Sequence, residues 1–175
     1  MTAADHHQDL EEGARLEALH SLGVLDSSLE PRIRTLVERA ARAFRVPMAA
    51  LSFVDRDRVW IKAAVGFEGG ELPRRSAFCS HTVNLQSVFV VTNALADERF
   101  AANPLVASPP HIRFYAGAAV HAASGHPVGS LCIFDVVPRG LDAGQRQCLQ
   151  SMAHYAANEM MVRQYVGHRA LPSGA

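Results

Sequence analysis

Residues 27–65 read SSLEPRIRTLVERAARAFRVPMAALSFVDRDRVWIKAAV, and the hydrophobic period changes once within them. Ile33, Leu36, Val37, Ala40, Ala41 and Phe44 recur at three- and four-residue steps, the pattern of one helical face. Ser27 and Glu30 have capping-box spacing, and Ser28 as N-cap would put Pro31 in the first turn, where its missing N–H costs least. Pro47 ends the helix. After it the period becomes two: Ala49, Leu51 and Phe53 alternate with Ala50, Ser52 and Val54, a polar Asp55-Arg56-Asp57 turn follows, and Val59, Ile61, Ala63 and Val65 resume the alternation. A helix followed by a β-hairpin is expected.

On the N-terminal side, apolar residues at three-residue steps over residues 16–22 stop at Gly23, which predicts a short amphipathic helix. On the C-terminal side, residues 66–76 read as a loop, residues 78–85 as a short helix and residues 88–91 as a compact strand. Residues 93–111 carry Pro104, Pro109 and Pro110 with no sustained period, and predict a long connection of the kind that often carries function. Phe114, Ala116, Ala118 and Val120, a Ser124-Gly125 turn, and Val128, Ser130, Cys132 and Phe134 form a second hairpin. Asp142 and Gln145 form an N-cap pair, and Cys148, Leu149, Met152, Tyr155, Ala156 and Met160 give a helical stripe toward Val166. Trp60 and Lys62 are expected on the face opposite Ile61 and Ala63, with Trp60 packed under a terminal helix.

These elements make an α+β domain: a central antiparallel sheet of five or six strands, N- and C-terminal helices on one face and loops covering a pocket on the other. One domain over residues 10–166 is expected, with flexible tails at residues 1–9 and 167–175; 175 residues suffice for one well-filled core. Seventeen Lys and Arg balance seventeen Asp and Glu, so no electrostatic footprint for nucleic acid or anionic membrane is visible. No apolar run approaches the ~20 residues a bilayer requires, and the N-terminus lacks a secretory pattern, so a cytoplasmic protein is expected. Cys79, Cys132 and Cys148 show no metal-binding spacing and read as reduced thiols.

Several separated motifs resemble those of bacterial GAF domains, in the same order. They are Arg58-Val59-Trp60-Ile61-Lys62, Phe78-Cys79-Ser80-His81, Asp97-Glu98-Arg99-Phe100 with Asn103-Pro104-Leu105-Val106, Ile112-Arg113-Phe114-Tyr115-Ala116-Gly117, and Gly129-Ser130-Leu131-Cys132-Ile133-Phe134-Asp135. The lead-in from Arg15-Leu16 to Leu25-Asp26 also fits, so the resemblance covers roughly residues 10–165. It implies a sensory domain of bacterial signal transduction, of the subgroup found before histidine kinase or diguanylate cyclase modules. Such a domain is expected to bind a small molecule beneath its loops and to act on an output module, and the stripe over residues 148–160, with its Met and Tyr residues, suits a homodimer seam along the terminal helices. The chain is expected to be either a stand-alone regulator or a piece of a longer protein. Asn93 stands where relatives often carry aspartate, and Ala119 where they often carry proline.

The expected ligand-binding residues are Phe78, Cys79, His81, Thr82, Asp97, Phe100, Arg113 and Tyr115. Arg113 and Tyr115 suit an anionic or planar ligand; Arg113 equally suits a latch tying the long loop down through Asp97 or a carbonyl. Cys79 and His81 suit a thiolate with its base, a metal pair, or plain packing. Cys132 and Cys148 read as structural. Phytochrome-like GAF domains attach a bilin through a cysteine next to histidine, but here Ser80 intervenes and that attachment is not expected. No nucleophile–base–orienter triad, phosphate-binding glycine loop or zinc signature is present in the sequence. The expectation is therefore a non-enzyme with no catalytic or metal-ligating residues and no nameable cofactor. A redox enzyme or sensor built on Cys79, similar to free methionine sulfoxide reductases, and a ligandless interaction module are the alternatives.

Overall fold

The chain is described by a computed structural model over residues 3–169, with side chains over residues 8–162. In order, it forms α1 (Ala3–Ser21), α2 (Pro31–Phe44), β1 (Met48–Val54), β2 (Arg58–Val65), β3 (Gly70–Pro73), α3 (Cys79–Thr82), β4 (Phe89–Val91), α4 (Pro104–Ala107), β5 (Phe114–His121), β6 (Pro127–Asp135) and α5 (Ala143–Arg169). The six strands form one sheet in the order β3-β2-β1-β6-β5-β4, with every neighbouring pair antiparallel. Helix α1 includes residues 3–9 and helix α5 includes residues 167–169, both expected in tails, and residues 170–175 lie outside the described residues. No helix of the described residues is long and apolar enough to cross a membrane.

Both hairpins form as the alternation requires, β1 with β2 and β5 with β6. Central strand β1 is buried along its whole length. Its Ala49, Leu51 and Phe53 enter the core shared with α1, α2 and α5; Met48, Ala50 and Val54 enter a second core under α3, α4 and the loops. The loop expected over residues 66–76 contains strand β3, whose residues pair with Arg58, Val59, Trp60 and Ile61 of β2. Edge pairing through backbone groups leaves little hydrophobic pattern, because three of the four β3 residues are exposed.

Helix α2 buries the six residues of the predicted stripe. Burying a side chain such as Ile33 or Leu36 contributes roughly 1.5–3 kcal/mol. Its N-cap is Glu30, without a side-chain cap hydrogen bond, so the expected capping box does not form. The competing partner is Lys62, which ion-pairs with Glu30 at 2.8 Å, and whose Nζ donates to Ser27 Oγ at 2.7 Å and to the Ser28 carbonyl. Lys62 faces α2 because of a β-bulge: the register passes from Leu51 opposite Ala63 to Ser52 opposite Ile61, leaving Lys62 as the extra residue. The bulge also corrects the expected facing of Ala63, which joins the helix-side core together with Trp60, while Ile61 points to the other face.

Candidate functional site

Across the sheet from the large helices, the chain leaves β3 through a 3-10 turn at Arg74–Ser76 and enters α3. Ala77, Phe78 and Cys79 therefore lie over the sheet, and beside them is a cavity of about 200 Å³. Its floor is the outward-facing row of β1, Met48, Ala50 and Ser52, with Val59 and Ile61 of β2 and Phe134 of β6. Leu105, Pro110 and Ile112 of the long connection form one wall, and Phe67, Glu68, Gly69, Glu71 and Leu72 form the rim around β3.

Of the eight expected ligand residues, Phe78 and Cys79 line this cavity and the other six do not. The expected location is filled by the protein itself. Phe78 stacks on Phe100 at 4.4 Å and on Tyr115 at 5.1 Å between ring centroids, and Tyr115 meets Phe134 edge-on at 5.2 Å. Tyr115 is fully buried, and its hydroxyl pairs with Thr82 Oγ1 at 2.6 Å and Ser130 Oγ at 3.4 Å. Burial pushes its phenol well above the usual range. Thr82 and Tyr115 thus satisfy each other beneath the aromatic layer.

His81 is exposed, with its ring against Phe89 and Phe100. Desolvation, followed by the nearby Arg99, lowers its pKa. No hydrogen bond joins it to Cys79 among the described residues, so the expected thiolate–base pair is not assembled. Asp97 pairs with its neighbour Arg99 at 2.6 Å, and the Arg99 guanidinium lies over the Phe89 and Phe100 rings. Arg113 is a latch, but not through Asp97: its Nη1 donates to the carbonyls of Val106 at 3.0 Å and Ile112 at 3.1 Å. Val106 lies seven residues before Arg113, and the sequence does not reveal which carbonyl of the loop comes within reach.

Cys79 finds Cys132 of β6 instead, at 3.5 Å between sulfurs. The contact with Cys132 is the leading influence lowering the Cys79 pKa, with the nearby Ser52 hydroxyl contributing; burial raises that of Cys132. Cys79 is thus the more acidic thiol. Cys132, read from sequence as structural, could have been matched to Cys79 only by knowing that α3 lies over β6. Ser52 on the cavity floor was also missed, although a serine among small residues on the loop-facing side of β1 was a visible signal.

A further cluster ties this region to α1. Glu12 accepts from Arg15 Nε at 2.7 Å and from Arg74 Nη1 at 2.5 Å, while the buried Arg15 donates to the Val54 carbonyl at 2.6 Å. Hydrogen bonding to Arg15 first, and to Arg74 next, holds the Glu12 carboxyl down at about 2. Arg74 stands immediately before the segment that carries Ala77, Phe78 and Cys79. Helix α1 and one wall of the cavity therefore share an ionic junction.

A cyclic di-GMP phosphodiesterase of Pseudomonas aeruginosa is 37% identical over 130 residues, covering 74% of this chain and 22% of that protein. The chain thus spans about a fifth of the length of that relative. The expectation of a non-enzyme is thereby overturned, since a relative this similar bears an enzyme's name. Among solved structures, the GAF domain of a phosphoenolpyruvate-protein phosphotransferase from Coxiella burnetii superimposes with a TM-score of 0.66 at 15% identity, over 90% of this chain and 98% of that one. A free methionine-R-sulfoxide reductase from Neisseria meningitidis superimposes with a TM-score of 0.64 at 14% identity, over 89% and 93%. Both have this fold. The family model of the GAF domain matches residues 28–160, and with the six-stranded sheet and its flanking helices this establishes that the chain belongs to the GAF domain family.

Proposed function

We propose that this domain senses a small molecule in the cavity beside Phe78 and Cys79 and passes its occupancy through the terminal helices to an output that acts on cyclic di-GMP. The observation that carries the reading is the Arg15–Glu12–Arg74 junction, which couples the cavity wall to α1. Filling the cavity pushes on the Ala77–Cys79 segment, and Arg74 transmits any displacement to Glu12. A ligand works in this way only through different affinities for two arrangements of that junction. The similarity to a cyclic di-GMP phosphodiesterase supports the nature of the output. The exposed Leu10, Tyr155 and Val162 on α1 and α5 support a homodimer seam along the terminal helices, in a cytoplasmic signalling protein.

Ala77→Leu and Ala50→Val place extra carbon in the cavity and imitate occupancy. Hydrogen exchange of α1 amides and sedimentation velocity read the response. The reading expects changed α1 protection in both variants, with the change lost when Glu12→Gln is added. Unchanged α1 exchange and an unchanged association state in both folded variants would reject it.

The Cys79–Cys132 contact favours a second reading, oxidation by a small hydroperoxide. The Cys79 thiolate attacks the peroxide oxygen, forming a sulfenic acid and releasing an alcohol. The Cys132 thiol then displaces water from that sulfur, leaving a disulfide. Two thiols are oxidised and one peroxide is reduced. Treating Cys148→Ser protein with tert-butyl hydroperoxide should lower its mass by about two hydrogens and protect both remaining cysteines from alkylation after denaturation. An unchanged mass would remove this reading.

A further inference from the structure

The chemistry of the cavity restricts what it can hold. Its walls are almost entirely hydrocarbon, from residues such as Met48, Ile61, Leu105, Ile112 and Phe134, and its lining contains no lysine, arginine or histidine. The carboxylates in the lining, Glu68 and Glu71, are at the exposed rim, and Glu71 is paired with Arg58 at 2.6 Å. A phosphate or carboxylate would leave water for a site without a counter-charge and pass two acidic side chains on the way. That transfer is strongly unfavourable. A volume of about 200 Å³ also suits a single ring system, since an apolar cavity of roughly 150 Å³ accepts benzene.

Ser52 is the polar side chain among the floor residues. Ser52 is 1% exposed, lines the cavity, and its Oγ has no hydrogen-bond partner of ordinary geometry among the described residues. Its nearest polar neighbours are the Cys79 and Cys132 sulfurs, which are weak hydrogen-bond partners and leave most of its donor and acceptor capacity unused. An unsatisfied buried hydroxyl is unfavourable, and a ligand group that pairs with it recovers that cost.

We infer that the cavity binds a small uncharged molecule, apolar over most of its surface and of the size of a substituted phenol, with one hydrogen-bonding group directed at Ser52 Oγ. The inference rests on the proposed sensory role of this cavity and adds the ligand class. Nucleotides, including cyclic di-GMP, are excluded from it by size and charge, so cyclic di-GMP belongs to the output and not to this site.

The test uses three molecules of nearly equal shape, p-cresol, toluene and p-toluate, together with cyclic GMP, each titrated into the chain and followed by amide NMR shifts at Ala50, Ala77 and Cys79. The inference expects p-cresol to bind more tightly than toluene, and p-toluate and cyclic GMP not to shift these amides. Ser52→Ala should weaken p-cresol about tenfold and leave toluene unchanged, and Ala77→Leu should abolish binding of both. Failure of p-cresol to shift these amides, indifference of p-cresol to both substitutions, or equally tight binding of p-toluate or cyclic GMP would overturn it. If a charged molecule occupies the cavity, the ligand class falls and the sensory reading stands; unchanged α1 exchange in the cavity-filling variants removes the sensory reading separately.

Discussion

Gly117 of β5 has room for a hydrogen atom and nothing larger. A Cβ there would lie 2.2 Å from the Tyr115 hydroxyl, 2.7 Å from Thr82 Oγ1 and 2.8 Å from Ser130 Oγ, so the polar group beneath the aromatic layer occupies the space a side chain would need. Gly117→Ala is expected to cost about 2 kcal/mol by overpacking, read as a lowered urea midpoint with an unchanged slope. Lys62 is the other residue whose surroundings set its value. Its side chain is fully buried and is paired with Glu30 and the carbonyl of Ser28. Lys62→Met is expected to destabilise by about 3 kcal/mol, because it leaves the Glu30 carboxylate without its cation, and Lys62→Met with Glu30→Gln should recover most of the loss. If the single and double variants unfold at the same denaturant concentration, the pair is not what holds the N-terminus of α2 to the sheet.

At the scale of elements, α2 shows how a local signal and a tertiary one share a helix. Its apolar stripe is intrinsic to the sequence, but its end is not the expected stop at Pro47: the helix closes at Phe44, three residues earlier. The chain leaves α2 through Arg45 in the left-handed region, φ 51°, with the Arg45 and Val46 amides returning to the carbonyls of Arg42 and Ala41. That closure favours glycine. Arg45→Gly is therefore expected to stabilise the domain by about 1 kcal/mol, visible as a melting temperature a few degrees higher; a lower one would show that the Arg45 side chain contributes more than its backbone strain costs. The short elements behave differently. Strand β3 and helix α4 are four residues each, and neither has room for a hydrophobic period. Their positions follow from β2 and from the Asn103 side chain, which caps α4 by accepting from Leu105 N and donates to the Ser76 carbonyl.

For the whole molecule, the Glu12 junction joins the two faces of the sheet and carries a pH dependence of known sign. The folded Glu12 carboxyl titrates at about 2, below its ordinary value of 4.5, so its contribution is complete above pH 4.5 and is lost as pH falls toward 2. With a side chain 34% exposed, solvent screening reduces that contribution to about 1 kcal/mol. Glu12→Gln should therefore unfold at lower urea than the parent at neutral pH, and the gap should close between pH 4.5 and 2. A constant gap over that interval would mean that the charge of Glu12 is not what holds α1 to Arg74.

The sequence by itself determined the long periodic elements, the antiparallel hairpins, the two-layer α+β arrangement and the family, because each is written in hydrophobic spacing or in short motifs along the chain. Of the eight residues it led one to expect around a ligand, the structure places Phe78 and Cys79 on the wall of the cavity and the other six elsewhere. Only the tertiary structure decided which side of Phe78 is open. The rings of Phe78, Phe100 and Tyr115 stack on one another and close the expected pocket, and the open volume moves to the β2–β3 side, where Ala50 and Ser52 are too small to fill it. Pairing Cys79 with Cys132, Glu12 with Arg74, and Lys62 with the N-terminus of α2 likewise required strands and loops distant in sequence to be packed together. Local periodicity reports which face of an element is buried; it carries no information on what the opposite face will meet.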